Sequence, residues 1–406
     1  MSVIIASFRW PEALRISLAG ALAQTVEDLE VLVVEDGPDR ASRAVAREST
    51  DDRVRWMRLR HGSGSQSGPN AYGLRQVRAP IVAYLGQDDI WHPEHLASLL
   101  SVLDPTVDLA HAVTVLLGAD GDDRLEIAGS SAWEPATFVP PSSLAHWRCS
   151  PRIGAWTSPD HSEMPVDYAF LGAAHARGAR FATSGVPTAF KFPAAWRLDS
   201  YRTRNVSPQL QLQQRMVSDP QVGRHLVRDA LAAGVPGNLP APPAAPPGVI
   251  ADYNRRFKGL PARFAPPLTR WTPSNFLLFP GWHPAERDKT GSFAWTGAQE
   301  RAFVRLDAPG DGELGVRVVV RHVLSSAQLD RLVVDVDGTV VALERTEDPD
   351  GATVLTGWLG RGPRDHTIEV GVTTTLAIPS AQDPESKDER LLGAAVSEIR
   401  LLDRGR

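Results

Sequence analysis

Cysteine is all but missing from this chain. Cys149 stands alone among 406 residues, which excludes an intrachain disulfide framework and any multi-cysteine metal site. Read simply, it is a small buried residue. Lysine is nearly as scarce, occurring only at positions 191, 258, 289 and 387, so arginine supplies most of the 43 basic residues. That bias reads as genome composition rather than function. An excess of positive charge is lacking too. A net charge of −5 and a pI near 6.1 exclude a general pull towards nucleic acid or anionic lipid. No window approaches the ~20 apolar residues of a membrane span. The stretch Ser2 to Phe8, followed at once by Arg9, is too short for a secretory leader. The expectation is a soluble, cytoplasmic protein, at most peripheral at the inner face of a membrane, with room for two or three domains.

What is present begins with α/β alternation. Val3-Ile4-Ile5-Ala6 reads as a buried strand and Arg9 to Thr25 as a helix with Pro11 in its first turn. Strands follow at Glu30 to Val34, Val54 to Leu59 and Ile81 to Leu85, with helices over about Arg40 to Ser49 and Asn70 to Val77 between them. Such alternation predicts a mainly parallel central sheet covered on both faces. Val166 to Arg177 reads as a helix ended by Gly178, and Ser207 to Ala233 as further helix. The Pro/Ala-rich stretch Pro236 to Pro247 reads as a linker. From about 273 the pattern becomes short β runs between turns, with Asp337-Gly338 a strong hairpin signal, which predicts a C-terminal β-sandwich. The expected division is 1–205, a helical and linker segment 206–272, and 273–406.

The most informative motif is Leu85-Gly86-Gln87-Asp88-Asp89, two adjacent carboxylates at the end of an apolar strand, with a proline-started helix expected next. In open α/β sheets that edge is where ligands bind, and adjacent carboxylates there call for a cation or strong donors. Asp36 ends the second strand and Asp167 opens the later helix, so the topology can bring all four acids to one crevice.

In order, these segments resemble family 2 glycosyltransferases of the GT-A fold. The resemblance runs from Val3-Ile4-Ile5-Ala6-Ser7-Phe8 through Glu30 to Gly37, Gly68-Pro69-Asn70-Ala71-Tyr72-Gly73-Leu74 and Leu85 to Asp89. It continues through Pro140 to His146 and Arg152 to Trp156 to Val166-Asp167-Tyr168, which stands where the family carries Glu-Asp-Trp. It implies a metal-dependent, inverting transferase that moves a sugar from a UDP-, GDP- or dTDP-linked donor to a hydroxyl of a glycan or glycolipid acceptor, in bacterial surface polysaccharide synthesis. Asp167 is then the general base. Ser7, Phe8, Arg9, Glu35, Asp36, Asn70, Gln87 and Asp88 line the donor site, and Asp88 and Asp89 hold Mg²⁺ or Mn²⁺ against the departing diphosphate.

There are departures from the family pattern. Gly86 replaces the usual first acid, Val166 the acid before the base, Pro69 an arginine and Ala173 another. Loss of the acid at 166 should leave the Asp167 pKa lower than in a two-acid pair. Arg9, Arg60 and Lys191 become candidates for diphosphate contacts. The alternative class is a non-catalytic glycan-binding or scaffold protein on a degenerate GT-A fold. Gly62-Ser63-Gly64-Ser65-Gln66-Ser67-Gly68 lacks a P-loop ending and reads as a mobile loop. His92 and His95 read as packing residues. Trp282 and Trp295 either stack on sugar rings or seal the sandwich.

Overall fold

The computed structural model describes residues 1–118, 124–241, 244, 248–259, 268–273, 279–297, 299, 301–309, 312–361 and 367–404. The chain falls into two compact units, Met1–Asn254 with Lys258–Leu260, and Arg255–Phe257 with Pro261–Arg406. Part of the Pro236 to Pro247 linker lies outside the described residues.

The first unit is built on a nine-stranded sheet. Its strands are β1 (Ser2–Ser7), β2 (Glu30–Glu35), β3 (Val54–Arg58), β4 (Ile81–Gly86), β5 (Ile90–Trp91), β6 (Leu109–Leu117), β7 (Leu125–Ala128), β8 (Leu144–Trp147) and β9 (Phe181–Lys191). They lie in the order β3-β2-β1-β4-β8-β6-β9-β5, with β7 on the flank of β6. The strands β3, β2, β1 and β4 run parallel, and β8 enters antiparallel. The continuous apolar runs of β1 and β2 are explained by burial on both faces. Val3, Ile5, Val31 and Val33 enter one core with Leu14, Leu18 and Ala21 of α1 (Pro11–Leu22). Ile4, Leu32 and Val34 enter the other, with Tyr72 of α3 (Ser67–Leu74) and Phe170 and Leu171 of α5 (Val166–Ala176). Between α1 and α3 lies α2 (Arg40–Glu48), where Asp39 caps the helix by accepting from Ala41 N (3.2 Å) and Ser42 N (3.1 Å).

Three elements differ from expectation. Residues 90–91 form a short strand on β9, so the helix after the acidic motif, α4 (His95–Leu100), starts later than Pro93 suggested. Strand β9 itself escaped the pattern because Gly185 and Pro187 interrupt it; the structure absorbs them at register shifts beside Val113 of β6. The stretch from Ser207 is two helices, α7 (Ser207–Ser218) and α8 (Val222–Ala232), broken at Asp219-Pro220. Just before them lies a single turn, α6 (Ser200–Thr203), and α9 (Val249–Lys258) follows later. Cys149 is exposed, contrary to the expectation of a buried thiol.

Asp108, at the entry of β6, anchors the sheet edge. It accepts from Ser150 Oγ, Arg180 N and Arg180 Nε, each at 3.0 Å. Burial works to raise its pKa, but these bonds outweigh it and hold the carboxyl at about 2. A depressed carboxylate contributes stability above its unfolded pKa and loses it as pH falls towards about 2. Asp108→Ala should therefore cost about 2 kcal/mol at neutral pH. The melting-temperature gap to wild type should shrink on acidification towards pH 3.

The second unit holds two antiparallel sheets, a β-sandwich as expected. One contains β10 (Arg270–Trp271), β11 (Glu286–Asp288), β12 (Gly291–Trp295), β14 (Glu313–Val323), β17 (Leu343–Glu347), β18 (Thr353–Arg361) and β20 (Ala394–Arg404). The other contains β13 (Arg301–Asp307), β15 (Val333–Val336), β16 (Thr339–Val340) and β19 (Thr367–Thr373). Asp337 and Gly338, with φ of 49° and 78°, make the tight β15–β16 turn. Trp282 and Trp295 are buried, and Trp282 Nε1 donates to Phe303 O (2.7 Å) while its ring packs 4.7 Å from Trp271. They seal the sandwich and present no face to a sugar.

Candidate functional site

The C-terminal ends of β2, β1 and β4 lie side by side, so register alone gathers most of the expected residues. Ser7 pairs with Glu35 and Ala6 with Gly86. Asp36 N donates to Ser7 O (2.8 Å). Gln87 clamps the ledge: its Oε1 accepts from Phe8 N (2.8 Å) and its Nε2 donates to Phe8 O (3.0 Å). Arg9 follows with φ of 46°, a left-handed backbone that costs energy in a non-glycine residue and that clusters at functional sites. Tyr201 of α6 packs against Phe8 and Trp10 at 5.7 and 5.8 Å.

Asp36 is buried and fully engaged. Its carboxylate accepts from Ser63 N (2.6 Å), Ser63 Oγ (2.8 Å) and Gly64 N (2.8 Å), which ties the Gly/Ser-rich loop to the end of β2. Burial raises its pKa against those bonds. Gly37 permits the approach: it sits at φ +89°, and a Cβ there would lie 2.8 Å from Gly62 N. Glu35 is buried beside Trp56, with Arg43 Nη2 3.9 Å away, and burial raises its pKa too. Asn70 is buried in α3.

The two adjacent acids have different surroundings. Asp89 is 1% exposed; its Oδ2 accepts from Ser142 Oγ (2.5 Å) and Lys191 Nζ (3.2 Å), and its Oδ1 has no hydrogen-bond partner. Burial raises its pKa, Lys191 opposes that, and Asp88 adds to it. Asp88 is 13% exposed, and its Oδ2 accepts from Arg197 Nη2 at 2.6 Å. Gly86 has a steric reason. A Cβ at 86 would lie 2.7 Å from Asp89 Oδ2, and Gly86 N instead donates to Ser142 Oγ (2.9 Å). An acid there would collide with the Asp89–Ser142 pair.

Asp167 sits in the first turn of α5, where the helix dipole favours its negative charge. It keeps partial access to solvent, yet burial raises its pKa, opposed by the charges of Lys191 and Lys258. With Val166 beside it, burial rather than a neighbouring acid is what raises this carboxylate's pKa. Lys191, at the end of β9, feels Asp89, Asp88 and Asp167. Lys258 feels Asp88 and Asp167. Asp88, Asp89 and Asp167 are thus set among Arg197, Lys191 and Lys258, all in the first unit. His92 and His95 are packing residues, bonded to Pro220 O (3.0 Å) and Thr188 Oγ1 (2.9 Å).

Among the described residues no three His, Cys, Asp or Glu side chains gather to hold a metal ion. Magnesium-type sites commonly use only one or two carboxylates and take their other ligands from substrate phosphates and water. Asp88, the more accessible acid, fits that mode, whereas Asp89 is closed in by Ser142 and Lys191. Sequence reading missed Arg197 and Lys258, and gave Ser142 only as part of the Pro140 to His146 segment, with no role of its own. Of the first two, only the lysine carried a signal, its rarity in this arginine-rich chain.

The sequence model of "Glycosyl transferase family 2" matches residues 2–126, which carry β1 to β4 and the acidic pair. The match covers under a third of the chain, so the segment is similar to that family. An uncharacterized glycosyltransferase, alr2836 of Nostoc sp., is 28% identical over 129 residues, 30% of this chain and 38% of its own. The succinoglycan biosynthesis protein ExoW of Rhizobium meliloti is 38% identical over 89 residues, 21% of this chain and 28% of its own. The chain thus spans well under half the length of these relatives. Among solved structures, mannosyltransferase PcManGT from Pyrobaculum calidifontis, in complex with GDP-Man and Mn²⁺, is 16% identical with a TM-score of 0.39, over 56% of this chain and 68% of that one. The family match thus falls on the parallel strands β1 to β4, whose ends carry the candidate site. No helix among the described residues is long and apolar enough to cross a membrane.

Proposed function

We propose that this protein is a glycosyltransferase that moves a sugar from a nucleotide-sugar donor to a hydroxyl of a glycan or glycolipid, with inversion at the anomeric carbon. The observation that carries the reading is the joint placement of Asp88 and Asp167 among Lys191, Lys258 and Arg197, next to the β1–β2 ledge. ExoW's name places that relative in succinoglycan biosynthesis, which supports polysaccharide synthesis as the setting. Residues 1–205 form the transferase domain in this reading, 206–272 extend it, and 273–406 are an accessory sandwich.

The chemistry follows from the residues. Ser7, Phe8, Arg9 and Asp36 shape the nucleotide end of the pocket. Asp36 acts there through the loop that it holds, Ser63-Gly64, whose backbone then faces the base. Asp88 would hold a Mg²⁺ or Mn²⁺ ion, which when bound would supply positive charge against the departing diphosphate. For that, Arg197 must leave Asp88 Oδ2, and its guanidinium is then available to a phosphate oxygen. Asp167 takes the proton of the acceptor hydroxyl as it attacks. Its raised pKa, caused by burial, makes it a stronger base than a surface carboxylate.

The test is a thermal-shift panel of UDP-, GDP- and dTDP-sugars with and without Mn²⁺. One donor at 100 times its Kd should stabilise the fold by about 2.7 kcal/mol, and more weakly without metal. Flat melting curves across the panel, with metal-independent binding of glycan instead, would overturn the reading.

A further inference from the structure

Only two lysines occur before residue 289, and both lie among the acids of the candidate site. Their situations are opposite. Lys191 is committed, with its ammonium 3.2 Å from Asp89 Oδ2. Lys258 is half-buried and has no ion pair within 4 Å among the described residues, although Asp88 and Asp167 act on it from further off. Burial lowers its pKa, and Lys191 and Arg197 push the same way. A partly desolvated ammonium with no ion pair in contact is costly, and an anion bound against it lowers that cost.

The backbone fixes where Lys258 is presented. It is the last residue of α9, where the negative end of the helix dipole favours a cation. Gly259 then turns the chain at φ +73°, the left-handed conformation of a helix C-cap. A Cβ at 259 would lie 2.6 Å from Arg202 Cδ and 2.7 Å from Asp199 Oδ1. The end of α9 is therefore seated on the segment that follows β9, the same segment that carries Arg197 to Asp88. A compact ammonium suits a phosphate group as a point charge, and unlike Arg197 it has, among the described residues, no carboxylate to leave first.

We propose that Lys258 is a phosphate-binding residue of the donor site, receiving the diphosphate of the nucleotide sugar from a helix well outside the family-matched segment. The inference rests on the nucleotide-sugar reading above. Lys191, by contrast, keeps Asp89 neutralised and has no free charge to offer the donor.

The experiment is calorimetric binding of UDP, GDP and dTDP, with Mg²⁺, to wild type and to Lys258→Met, Lys258→Gln and Lys258→Arg. Melting temperatures are recorded for each variant, and uridine, guanosine and thymidine serve as uncharged controls. The expected result is at least a tenfold loss of affinity for the preferred nucleoside diphosphate in the Met and Gln variants. Nucleoside binding should stay within twofold, melting temperature should be unchanged, and Arg should recover most of the loss. Diphosphate affinity within twofold of wild type in Lys258→Met, or equal weakening of nucleoside and diphosphate, would overturn the proposal and leave the nucleotide-sugar reading standing. Failure of the wild type to bind any of the three diphosphates would overturn both.

Discussion

Asp167→Asn is expected to lower the transfer rate by about 10² to 10⁴-fold while donor affinity stays within a few-fold of wild type. The amide keeps the shape of the side chain and its place in the first turn of α5, but it cannot accept the hydroxyl proton. The substitution also removes a charge that burial penalises, so the fold should tolerate it or gain slightly. The pH profile gives a second reading of the same group. A base works ionised, so kcat/KM should rise with pH through the Asp167 pKa. Burial places that limb above the ordinary carboxylate range. Measuring single-turnover rates beside donor Kd separates this outcome from a loss of binding. Full activity in Asp167→Asn would reassign the base.

Asp88 and Asp89 should behave as two different residues when each is changed. Asp89→Ala leaves Lys191 without its partner and Ser142 without its acceptor beneath the sheet edge, and removing one member of a buried pair costs about 3 to 5 kcal/mol. A clear drop in melting temperature without any ligand is the expected result. Asp88→Asn keeps an amide oxygen that can still accept from Arg197, so its melting temperature should fall by less than that of Asp89→Ala. What it should lose is the Mn²⁺-dependent part of donor stabilisation. Melting curves of both variants, with and without Mn²⁺ and donor, check the pair together. If Asp88→Asn kept the metal response and Asp89→Asn lost it, the two assignments would be exchanged.

Strands β1, β2 and β4 could be read from sequence because each is an apolar run buried on both faces, packed against α1, α3 and α5; β3, with Arg55 and Arg58, is a partly buried edge strand read from its place in the alternation. Their parallel register then brought Ser7, Glu35, Asp36 and the acidic pair to one edge, as the α/β alternation suggested. What stayed hidden depends on partners distant in sequence. Strand β9 is held by β6 despite Gly185 and Pro187, and the 90–91 strand exists only because β9 lies beside it. Gly86 looked like the loss of an acid. In the structure it is the space that Asp89 and Ser142 occupy. Asp36, expected to line the donor site, also holds the Gly/Ser-rich loop through Ser63 and Gly64, a role that depends on a partner some 27 residues away. Arg197 and Lys258 had no motif to announce them, being brought to the acids by the segment after β9 and by α9.

Release of nucleoside diphosphate from the donor chosen by the thermal-shift panel tests the central claim most directly. Wild type with Mn²⁺ should release it slowly with water as acceptor and faster with a glycan acceptor. The release should stop with a chelator, and Asp88→Asn and Asp167→Asn should each be strongly impaired. No release from any UDP-, GDP- or dTDP-sugar, or release undiminished in both variants, would contradict the account.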